Sequence, residues 1–124
     1  MRSAAELKSL RAGTVAFIKA NPVQLTLIPR KRISDGTGTR FQDQAARDEQ
    51  ELCLVDQSTA RSPVPGVIQT SDGRERLVEW ILLGRHDSEV ELYDYWTDAN
   101  GTWEVAQVFP ANGYEVRAAV VRHA

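Results

Sequence analysis

Residues 94–104 read Asp-Tyr-Trp-Thr-Asp-Ala-Asn-Gly-Thr-Trp-Glu, so Asn100-Gly101 lies between two Trp-bearing segments of extended character. Asn and Gly tolerate the positive φ angles that a type I′ turn requires. The stretch therefore predicts a tight type I′ β-hairpin. Turn signals of the same kind recur at Ser71-Asp72-Gly73 and at Pro110-Ala111-Asn112-Gly113. Together these turns indicate a small β-protein.

Strand periodicity continues through much of the chain after Pro22. Apolar and polar residues alternate from Val23 to Leu27, and a short apolar run covers residues 52–55. The pattern predicts about five to seven short antiparallel strands over residues 23–122, closed into a small β-barrel or sandwich because closure removes exposed sheet edges. Residues 39–49 are polar and weakly patterned, and residues 57–66, with two prolines, predict a long exposed loop.

The N-terminal segment carries a helix signature. Ser3 and Glu6 form a capping box, in which side-chain oxygens satisfy backbone N–H groups at the helix start. One apolar stripe recurs at helical spacing: Leu7, Leu10, Thr14, Phe17 and Ile18. Asn21-Pro22 ends the pattern, since the residue before proline avoids the α region. We expect a helix over about residues 4–20 whose stripe faces the core, with a partner-binding face as the alternative.

Residues 74–83 predict a strand that is apolar on both faces. Val78, Trp80 and Leu82 share one face. Leu77, Ile81 and Leu83 lie on the other face, with Glu79. Such a strand must be covered twice, so we expect either the N-terminal helix or another subunit on its second face.

Size and composition suit one domain that spans residues 1–124. The chain is 42% hydrophobic and 26% charged, enough for a modest core. No apolar run approaches the roughly 20 residues that span a bilayer, and residues 1–6 lack the apolar stretch of a secretory signal. Cys53 is the only cysteine, which excludes an internal disulfide and favours a reducing compartment. We expect the protein to fold in cytosol-like conditions, away from membranes.

Charge is distributed unevenly along the chain, whose net charge is −2. Residues 1–40 have a balance of +6, and the remaining residues have a balance of −8. One interpretation is an uneven solvated surface; the other is a subunit that docks head-to-tail between partners through charges of opposite sign. The candidate docking charges are Arg30, Lys31, Arg32, Asp87, Glu89, Glu91 and Asp98.

Patterns for catalysis, metal binding and cofactor binding are missing from the sequence. Nucleophilic catalysis needs an activating base, and the only histidines are His86 and His123. Cys53 lies in an apolar run, which favours a buried, inert thiol. No C-x-x-C or H-x-x-x-H spacing, calcium loop or phosphate loop occurs. We therefore predict no enzyme activity, no catalytic residue, no metal and no cofactor.

Nucleic-acid binding is the alternative from a different functional class. The basic run at residues 30–32, with Arg40, could neutralise phosphates. Stacking surfaces could come from Trp80, Trp96 and Trp103 in an OB-like barrel. The acidic chain and the apolar surroundings of the tryptophans oppose this interpretation. A barrel that binds single-stranded nucleic acid stays open as the second hypothesis.

Several segments, taken in order, form a layout that covers almost the whole chain. They are the capped helix ending at Asn21-Pro22, a strand at residues 52–57, the Asp72-Gly73 turn, a strand ending at Leu83-Gly84, the Trp-bearing hairpin at residues 92–105 and a closing segment at residues 112–117. This layout resembles the head-to-tail connector proteins of long-tailed (siphovirus-type) bacteriophages, in particular the stopper, or head-completion, proteins of the neck. The Trp-bearing hairpin is the strongest part of the likeness.

The resemblance implies a structural virion protein of mainly β fold, a small antiparallel β-barrel with one N-terminal helix and long loops. Such proteins assemble in the host cytoplasm into a homo-oligomeric ring, which we expect to be a hexamer. The ring lies below the portal and adaptor and above the tail terminator and tail tube. It closes the channel around the packaged DNA and provides the tail attachment surface. A tail terminator or adaptor of the same neck is the alternative, although adaptors are largely helical.

In that family a loop from the barrel projects into the channel as the plug. The resemblance makes the 57–66 loop the candidate here, with residues 33–48 as the rival. The candidate plug residues are Gln57, Ser58, Thr59, Arg61, Ser62 and Pro63.

Overall fold

The structure is a computed structural model that describes residues 3–34, 36, 38–56, 67–69, 75–77 and 80–123, with the backbone alone for 67–69 and 75–77. In chain order the elements within these residues are α1 (Ala4–Ala20), β1 (Val23–Leu25), β2 (Arg30–Ser34), β3 (Thr39–Asp43), β4 (Gln50–Asp56), β5 (Val67–Gln69), β6 (Glu75–Leu77), β7 (Trp80–Arg85), β8 (Tyr95–Asp98), β9 (Gly101–Val108) and β10 (Glu115–His123).

Helix α1 begins and ends where the sequence predicts. Ser3 Oγ accepts a hydrogen bond from the Glu6 amide at 3.1 Å, which satisfies one of the N–H groups left free at a helix start. At the other end the Asn21 amide donates to the Ile18 carbonyl at 3.1 Å, and Pro22 follows. The predicted helix over residues 4–20 is confirmed.

Six strands form one antiparallel sheet in the order β1-β4-β7-β10-β9-β8. The sheet curls until its two edges meet. Ile28, just beyond β1, bridges Tyr95 in β8 through backbone hydrogen bonds of 2.9 and 3.1 Å. The sheet is therefore a nearly closed barrel, which leaves little unpaired edge. The predicted small antiparallel β-barrel with one N-terminal helix is confirmed.

The barrel interior is packed around three tryptophans. Trp96 and Trp103 stack with ring centroids 5.6 Å apart, and Trp80 meets Trp103 edge-on at 5.7 Å. The buried aliphatic side chains around them are Leu25, Leu27, Leu52, Leu82, Val90, Val105, Ala118 and Val120. All six strands of the main sheet contribute side chains to this core, so the core is buried only when the barrel is closed.

Strand β7 is apolar on both faces because helix α1 covers the outer one. Leu82 points into the barrel, while Leu83 forms a second buried cluster with Cys53 of β4 and Ile18 of α1. The N-terminal helix and another subunit were the two covers expected for the second face of this strand. The structure shows that the helix of the same chain provides a cover. Burial also raises the pKa of the Cys53 thiol, as expected for an inert cysteine.

The helix stripe is buried only in part. Ile18 and Thr14 are buried, but Phe17 is 53% exposed. The prediction that Phe17 faces the core is wrong. Neighbouring positions of a helix point in different directions, and the sheet contacts the side that carries Ile18.

The Trp-bearing hairpin is confirmed, but its predicted type I′ turn is wrong. Asp98 pairs with Gly101, and φ is positive at Gly101 (129°) but not at Asn100. The turn is closed by Asp98 Oδ1, which accepts hydrogen bonds from the Asn100 amide at 2.8 Å and from Trp103 Nε1 at 3.1 Å. A Cβ at Gly101 would lie 2.5 Å from the His123 carbonyl oxygen, so both the φ angle and the space require glycine.

Strands β2 and β3 have no counterpart in the sequence-based prediction. They form a separate two-stranded ribbon in which Arg32 lies opposite Phe41 and Ile33 lies opposite Arg40. Polar residues occupy most of the ribbon, so the alternation of apolar and polar residues that marks a half-buried strand is absent here.

The stretch predicted as one strand, residues 74–83, carries two strands among the described residues, β6 and β7, while residues 74, 78 and 79 lie outside them. Strand β6 pairs with β5 in a separate two-stranded sheet, whereas β7 begins at Trp80 and pairs with β4 and β10. The β5–β6 pairing agrees with a hairpin at this place. Its predicted turn at residues 71–73 lies outside the described residues.

Candidate functional site

The β2–β3 hairpin is anchored to the barrel mainly by Arg30. Its Nε donates a hydrogen bond to the Tyr93 carbonyl at 2.8 Å, and its Nη2 lies 3.2 Å from Glu104 Oε1. The guanidinium also lies over the Tyr95 ring, 4.7 Å from its centroid. From the other strand of the hairpin, Phe41 packs edge-on against Tyr93 with centroids 4.8 Å apart. Both strands of the hairpin therefore contact the barrel.

Glu104 is a buried carboxylate on the outer face of β9, with 2% of its surface exposed. His123 Nε2 lies 3.3 Å from the same oxygen that faces Arg30. Arg30 Nη2 is itself buried, and within the described residues its contact with Glu104 is an ion pair without the alignment of a hydrogen bond. A buried charge is costly unless it is paired. Glu104 therefore couples the hairpin to the end of β10.

Arg47 makes the second anchor, in the segment between β3 and β4. Its Nε and Nη2 donate to the two carboxylate oxygens of Asp94 at 2.9 and 3.2 Å, while Glu89 and Glu91 lie 3.7 and 3.5 Å away. The Asp94 hydrogen bond is the main cause that raises the pKa of Arg47. The Arg47 amide also donates to the Leu27 carbonyl at 2.9 Å. The planar guanidinium of Arg47 and the planar carboxylate of Asp94, joined by two hydrogen bonds, hold a fixed relative orientation.

Tyr95 ties the base of β3 to the barrel. Its hydroxyl donates to Asp43 Oδ2 at 2.5 Å. This hydrogen bond, with a smaller contribution from burial, raises the pKa of the Tyr95 phenol. Asp43 lies directly opposite Arg30 in the ribbon. The barrel therefore holds β2 and β3 at paired positions, through Arg30 on one strand and Asp43 on the other.

We call this set of side chains the hairpin junction; it consists of Arg30, Asp43, Arg47, Asp94, Tyr95, Glu104 and His123. These residues are joined by ion pairs and by the hydrogen bond from the Tyr95 hydroxyl to Asp43. Within the described part of the chain, no group of three or more His, Cys, Asp or Glu side chains could hold a metal ion. The chemistry of the junction is that of an anchor for the hairpin.

The predicted docking charges fall in different environments. Arg30 turns inward to Glu104, whereas Lys31 and Arg32 are exposed. Glu89 and Glu91 are about three-quarters exposed, at 73% and 76%, although both approach Arg47.

The remaining two docking charges lie at turns. Asp87 is exposed and lies 3.9 Å from Arg85. Asp98 closes the Trp-bearing turn through its contacts with Asn100 and Trp103. The structure therefore brings Glu89 and Glu91 together at Arg47, places Lys31 and Arg32 on opposite faces of the ribbon, and does not gather all seven residues.

The candidate plug residues at 57–66 lie outside the described residues. The rival stretch, residues 33–48, contains the tip of the β2–β3 hairpin, strand β3 and the segment that carries Arg47. Gly36 and Gly38 have φ angles of 85° and 140° in the turn between the two strands. The rival plug is thus a hairpin held by the junction.

The tryptophans proposed as base-stacking surfaces belong to the core. Trp96 and Trp103 are 4% and 3% exposed, and Trp80 packs against the same cluster. The rings of Trp96 and Trp103 stack on each other, whereas Trp80 is partly buried and meets Trp103 edge-on. Base stacking on Trp96 or Trp103 would require the barrel to open.

An apolar groove of about 320 Å³ runs between α1 and the outer face of the main sheet. Its apolar lining comes from Leu10, Phe17, Val55, Ile81, Leu83 and Tyr114. Arg11 Nε donates to the Gly113 carbonyl at 2.9 Å and fixes the helix against the turn before β10. A Cβ at Gly13, which also lines the groove, would meet no atom within 4 Å. The groove is therefore open at this point of the helix.

Sequence reasoning missed Arg47, Asp94, Tyr95 and Glu104 as parts of one site. Glu104 stands between Trp103 and Val105, where alternation predicts a side chain on the solvent face. It does point outward, but the hairpin covers it. A buried partner for this carboxylate has no local signal, because Arg30 is 74 positions away in the chain.

Comparisons with protein-family models, with curated proteins and with solved structures found no match. Among the described residues, no helix is both long enough and apolar enough to cross a membrane. The function is therefore inferred from the residues of this chain and from their geometry.

Proposed function

We propose that the protein is a structural component of a bacteriophage neck, a head-to-tail stopper. In this proposal copies of the chain form a ring, expected to be a hexamer, beneath the portal and adaptor. The ring closes the channel after DNA packaging and presents its lower surface to the tail terminator and tail tube. The protein acts without catalysis, metal or cofactor.

The observation that carries the proposal is a projecting hairpin fixed on a closed barrel. Arg30, Arg47 and Tyr95 bind the base of the hairpin through contacts of 2.5 to 3.2 Å. Its tip lies between Ser34 and Thr39, both exposed. A channel-closing element must resist the pressure of packaged DNA, so it benefits from a base held by buried ion pairs. Function is often placed on such segments of a rigid scaffold.

The groove beside α1 supports ring assembly. Its lining is mainly apolar, and Phe17 at its edge is 53% exposed. A neighbouring copy is the occupant that a ring would supply for this groove. Gly13→Leu is expected to fill the groove and prevent assembly, whereas Gly13→Ala, which adds one methyl group in open space, is expected to preserve it.

The test uses DNA-filled heads produced without this protein. Addition of the purified wild-type chain is expected to make the packaged DNA resistant to nuclease and to allow tails to join. Heads that stay leaky and tailless with the wild-type chain, in the presence of the other neck proteins, would overturn the proposal.

Two variants decide between the candidate plugs. One lacks Ser58 to Val64, within the 57–66 loop. The other replaces the hairpin tip, residues 34–39, with a two-residue turn. The variant that forms rings on heads but leaves the DNA sensitive to nuclease has lost the plug. If both variants seal the heads, neither segment closes the channel.

Single-stranded nucleic-acid binding remains the second candidate because Lys31, Arg32 and Arg40 are exposed on the hairpin. It predicts binding to oligonucleotides that weakens steeply as salt increases. A protein that binds single strands tightly and never associates with heads or tails would favour this candidate over the stopper.

A further inference from the structure

The sequence contains the same tripeptide twice, as Ala99-Asn100-Gly101 and as Ala111-Asn112-Gly113. An asparagine that precedes glycine can lose ammonia when the following backbone nitrogen attacks its side-chain amide, because glycine has no Cβ to obstruct the approach and permits many backbone conformations. The only other asparagine of the chain, Asn21, precedes proline, whose nitrogen carries no hydrogen. Local sequence alone therefore gives the first two asparagines the same reactivity.

The structure holds the side chain of Asn112 in place. Its Oδ1 accepts hydrogen bonds from the Tyr114 and Glu115 amides at 3.1 and 3.0 Å, and its Nδ2 donates to Glu115 Oε1 at 3.3 Å. The Gly113 carbonyl accepts a further hydrogen bond from Arg11 Nε at 2.9 Å. The side-chain amide of Asn112 therefore cannot rotate toward the Gly113 nitrogen without breaking hydrogen bonds.

The side chain of Asn100 has no such restraint. Asn100 is exposed at the tip of the Trp-bearing hairpin. In the part of the chain that the structure describes, only its backbone amide is held, by a hydrogen bond of 2.8 Å to Asp98 Oδ1. The side-chain amide can turn toward the Gly101 nitrogen without breaking a hydrogen bond to these residues. The fold thus distinguishes two asparagines that the sequence makes alike.

We propose that Asn100-Gly101 is a site of spontaneous deamidation, that the fold protects Asn112-Gly113, and that modification of Asn100 loosens the Trp-bearing hairpin. In the reaction a bond forms between the Gly101 nitrogen and Asn100 Cγ, the bond from Cγ to Nδ2 breaks, and Nδ2 leaves as ammonia with the proton of the Gly101 amide. Water then opens the cyclic imide at either of its carbonyl carbons, which leaves aspartate or isoaspartate in place of Asn100. The reaction needs only this chain and water and does not depend on a role in a phage neck.

The isoaspartate product does not fit the turn as it stands. In isoaspartate the main chain passes through the former side-chain carbon, so an additional carbon lies between the modified residue and the Gly101 nitrogen. Gly101 is confined, because it pairs with Asp98 and a Cβ on it would lie 2.5 Å from the His123 carbonyl oxygen. The longer turn is expected to break the hydrogen bond from the Asn100 amide to Asp98 Oδ1 and to disturb the one from Trp103 Nε1.

The measurement follows deamidation of the folded full chain at mildly alkaline pH by mass spectrometry of its peptides. Trypsin would leave both Asn-Gly sites in one peptide, residues 86–117, whereas cleavage after Glu104 separates them. Asn100 is expected to react several-fold faster than Asn112, and Asn21 is expected to stay unmodified. Incubation in water enriched in a heavy oxygen isotope marks the molecules that react during the experiment, since opening of the imide takes up oxygen from the solvent.

The matched control is the same chain unfolded in guanidinium chloride. Asn100 and Asn112 each lie between alanine and glycine, so their rates are expected to become similar once the fold is removed. Asn100→Gln is expected to abolish the fast reaction in the folded chain, because attack on the longer side chain closes a larger ring. The backbone allows this replacement, since φ is not positive at Asn100.

The melting temperature tests the effect on the hairpin. The isoaspartate form, purified by chromatography and identified by electron-based fragmentation, is expected to melt at a lower temperature than the unmodified chain. Asn100→Asp adds the negative charge without the additional main-chain carbon and is expected to melt closer to the wild type. An isoaspartate form that melts no lower than Asn100→Asp would overturn the loosening of the hairpin.

Equal rates at Asn100 and Asn112 in the folded chain would overturn the proposal, because the fold would then not distinguish the two sites. A faster reaction at Asn112 would overturn it as well; the amides that bind Asn112 Oδ1 would then act as an oxyanion hole that stabilises the tetrahedral intermediate. A folded chain in which Asn100 stays as unreactive as Asn21 would also contradict it. Each of these results can be obtained whether or not the chain seals DNA-filled heads, so the stopper and the deamidation site fail independently.

Discussion

Trp103 and Glu104 are consecutive residues of β9 that face opposite sides of the sheet, and both are almost completely buried. Trp103 stacks on Trp96 inside the barrel. Glu104 points outward, beneath Arg30 and beside His123. Alternate residues of a strand reach opposite faces, so each face of β9 has its own cover. The inner cover is the core, and the outer cover is the hairpin.

Replacement of Trp103 by alanine is expected to lower the free energy of unfolding by about 3–5 kcal/mol, because the substitution removes a large buried aromatic side chain. The Nε1 hydrogen bond to Asp98 is lost as well. Trp103→Phe keeps most of the apolar contact and should cost less. Equilibrium denaturation of the three proteins measures the difference, and an unchanged midpoint for Trp103→Ala would contradict the packing described here.

The raised pKa of the Tyr95 phenol predicts that the free energy of unfolding decreases at alkaline pH. The hydrogen bond to Asp43 and burial raise the pKa of the phenol, so the folded state holds this proton more tightly than the unfolded chain does. The contribution is complete below the ordinary tyrosine pKa of about 10 and is lost as the pH rises through the folded value.

The free energy of unfolding, followed from pH 8 to alkaline pH in the wild type and in Tyr95→Phe, tests this sign. The variant lacks the titrating hydroxyl, so the difference between the two proteins should shrink as the pH rises. A difference that is constant or grows with pH would rule out the raised pKa as a source of stability.

At the scale of elements, the β2–β3 hairpin depends on the barrel for its order. A two-stranded hairpin alone is at best marginally stable in water. Arg30 and Phe41 connect its two strands to the barrel surface, and Arg47 fixes the segment that leads from β3 into β4. The hairpin and this segment are therefore held by charged and aromatic contacts rather than by an aliphatic core.

Arg47→Ala is expected to lower the free energy of unfolding by about 3–5 kcal/mol, because it leaves the buried Asp94 carboxylate without its cation. The double variant Arg47→Met with Asp94→Asn removes both charges and is expected to recover much of this loss. Denaturant unfolding of Arg47→Met, Asp94→Asn and the double variant forms the test. If the double variant is as unstable as the sum of the two single variants, the pair does not act as a unit.

At the scale of the whole molecule, the barrel is complete without the segment that connects β4 to β7. Asp56 and Trp80 are directly opposite one another at the end of that pairing. The connection between β4 and β7 therefore begins and ends at one place on the main sheet. The connection can change in length without altering the order of strands in the barrel.

Deletion of Ser58 to Val64 is expected to leave the barrel folded, since the six strands described for the main sheet all lie outside the deletion and a change in loop length costs little. The melting temperature should stay within a few degrees of the wild type, and the near-ultraviolet circular dichroism of the tryptophan cluster should be retained. Loss of that signal would show that the loop is needed for the core.

Local patterns in the sequence were sufficient for α1, for the Trp-bearing hairpin and for the faces of β7. Ser3, Glu6 and Pro22 act on backbone groups a few residues away, so their effect can be predicted without the rest of the fold. The same holds for alternation, since Leu82 and Leu83 point to opposite faces in any strand.

The β2–β3 ribbon and its junction depend on contacts between distant parts of the chain. Arg30 and Lys31 are adjacent basic residues with no local difference that would mark one as buried and the other as exposed. The distinction arises because β2 pairs with β3 at a register that directs Arg30 toward Glu104.

The amino-acid sequence by itself determined a mainly β protein with one N-terminal helix, because helix caps, turn residues and apolar periodicity act over short distances. Only the tertiary structure decided which charges are paired inside, which remain on the surface and which flank of α1 stays uncovered. Those outcomes depend on the burial of each side chain, and burial is set by the elements that pack over it from elsewhere in the chain.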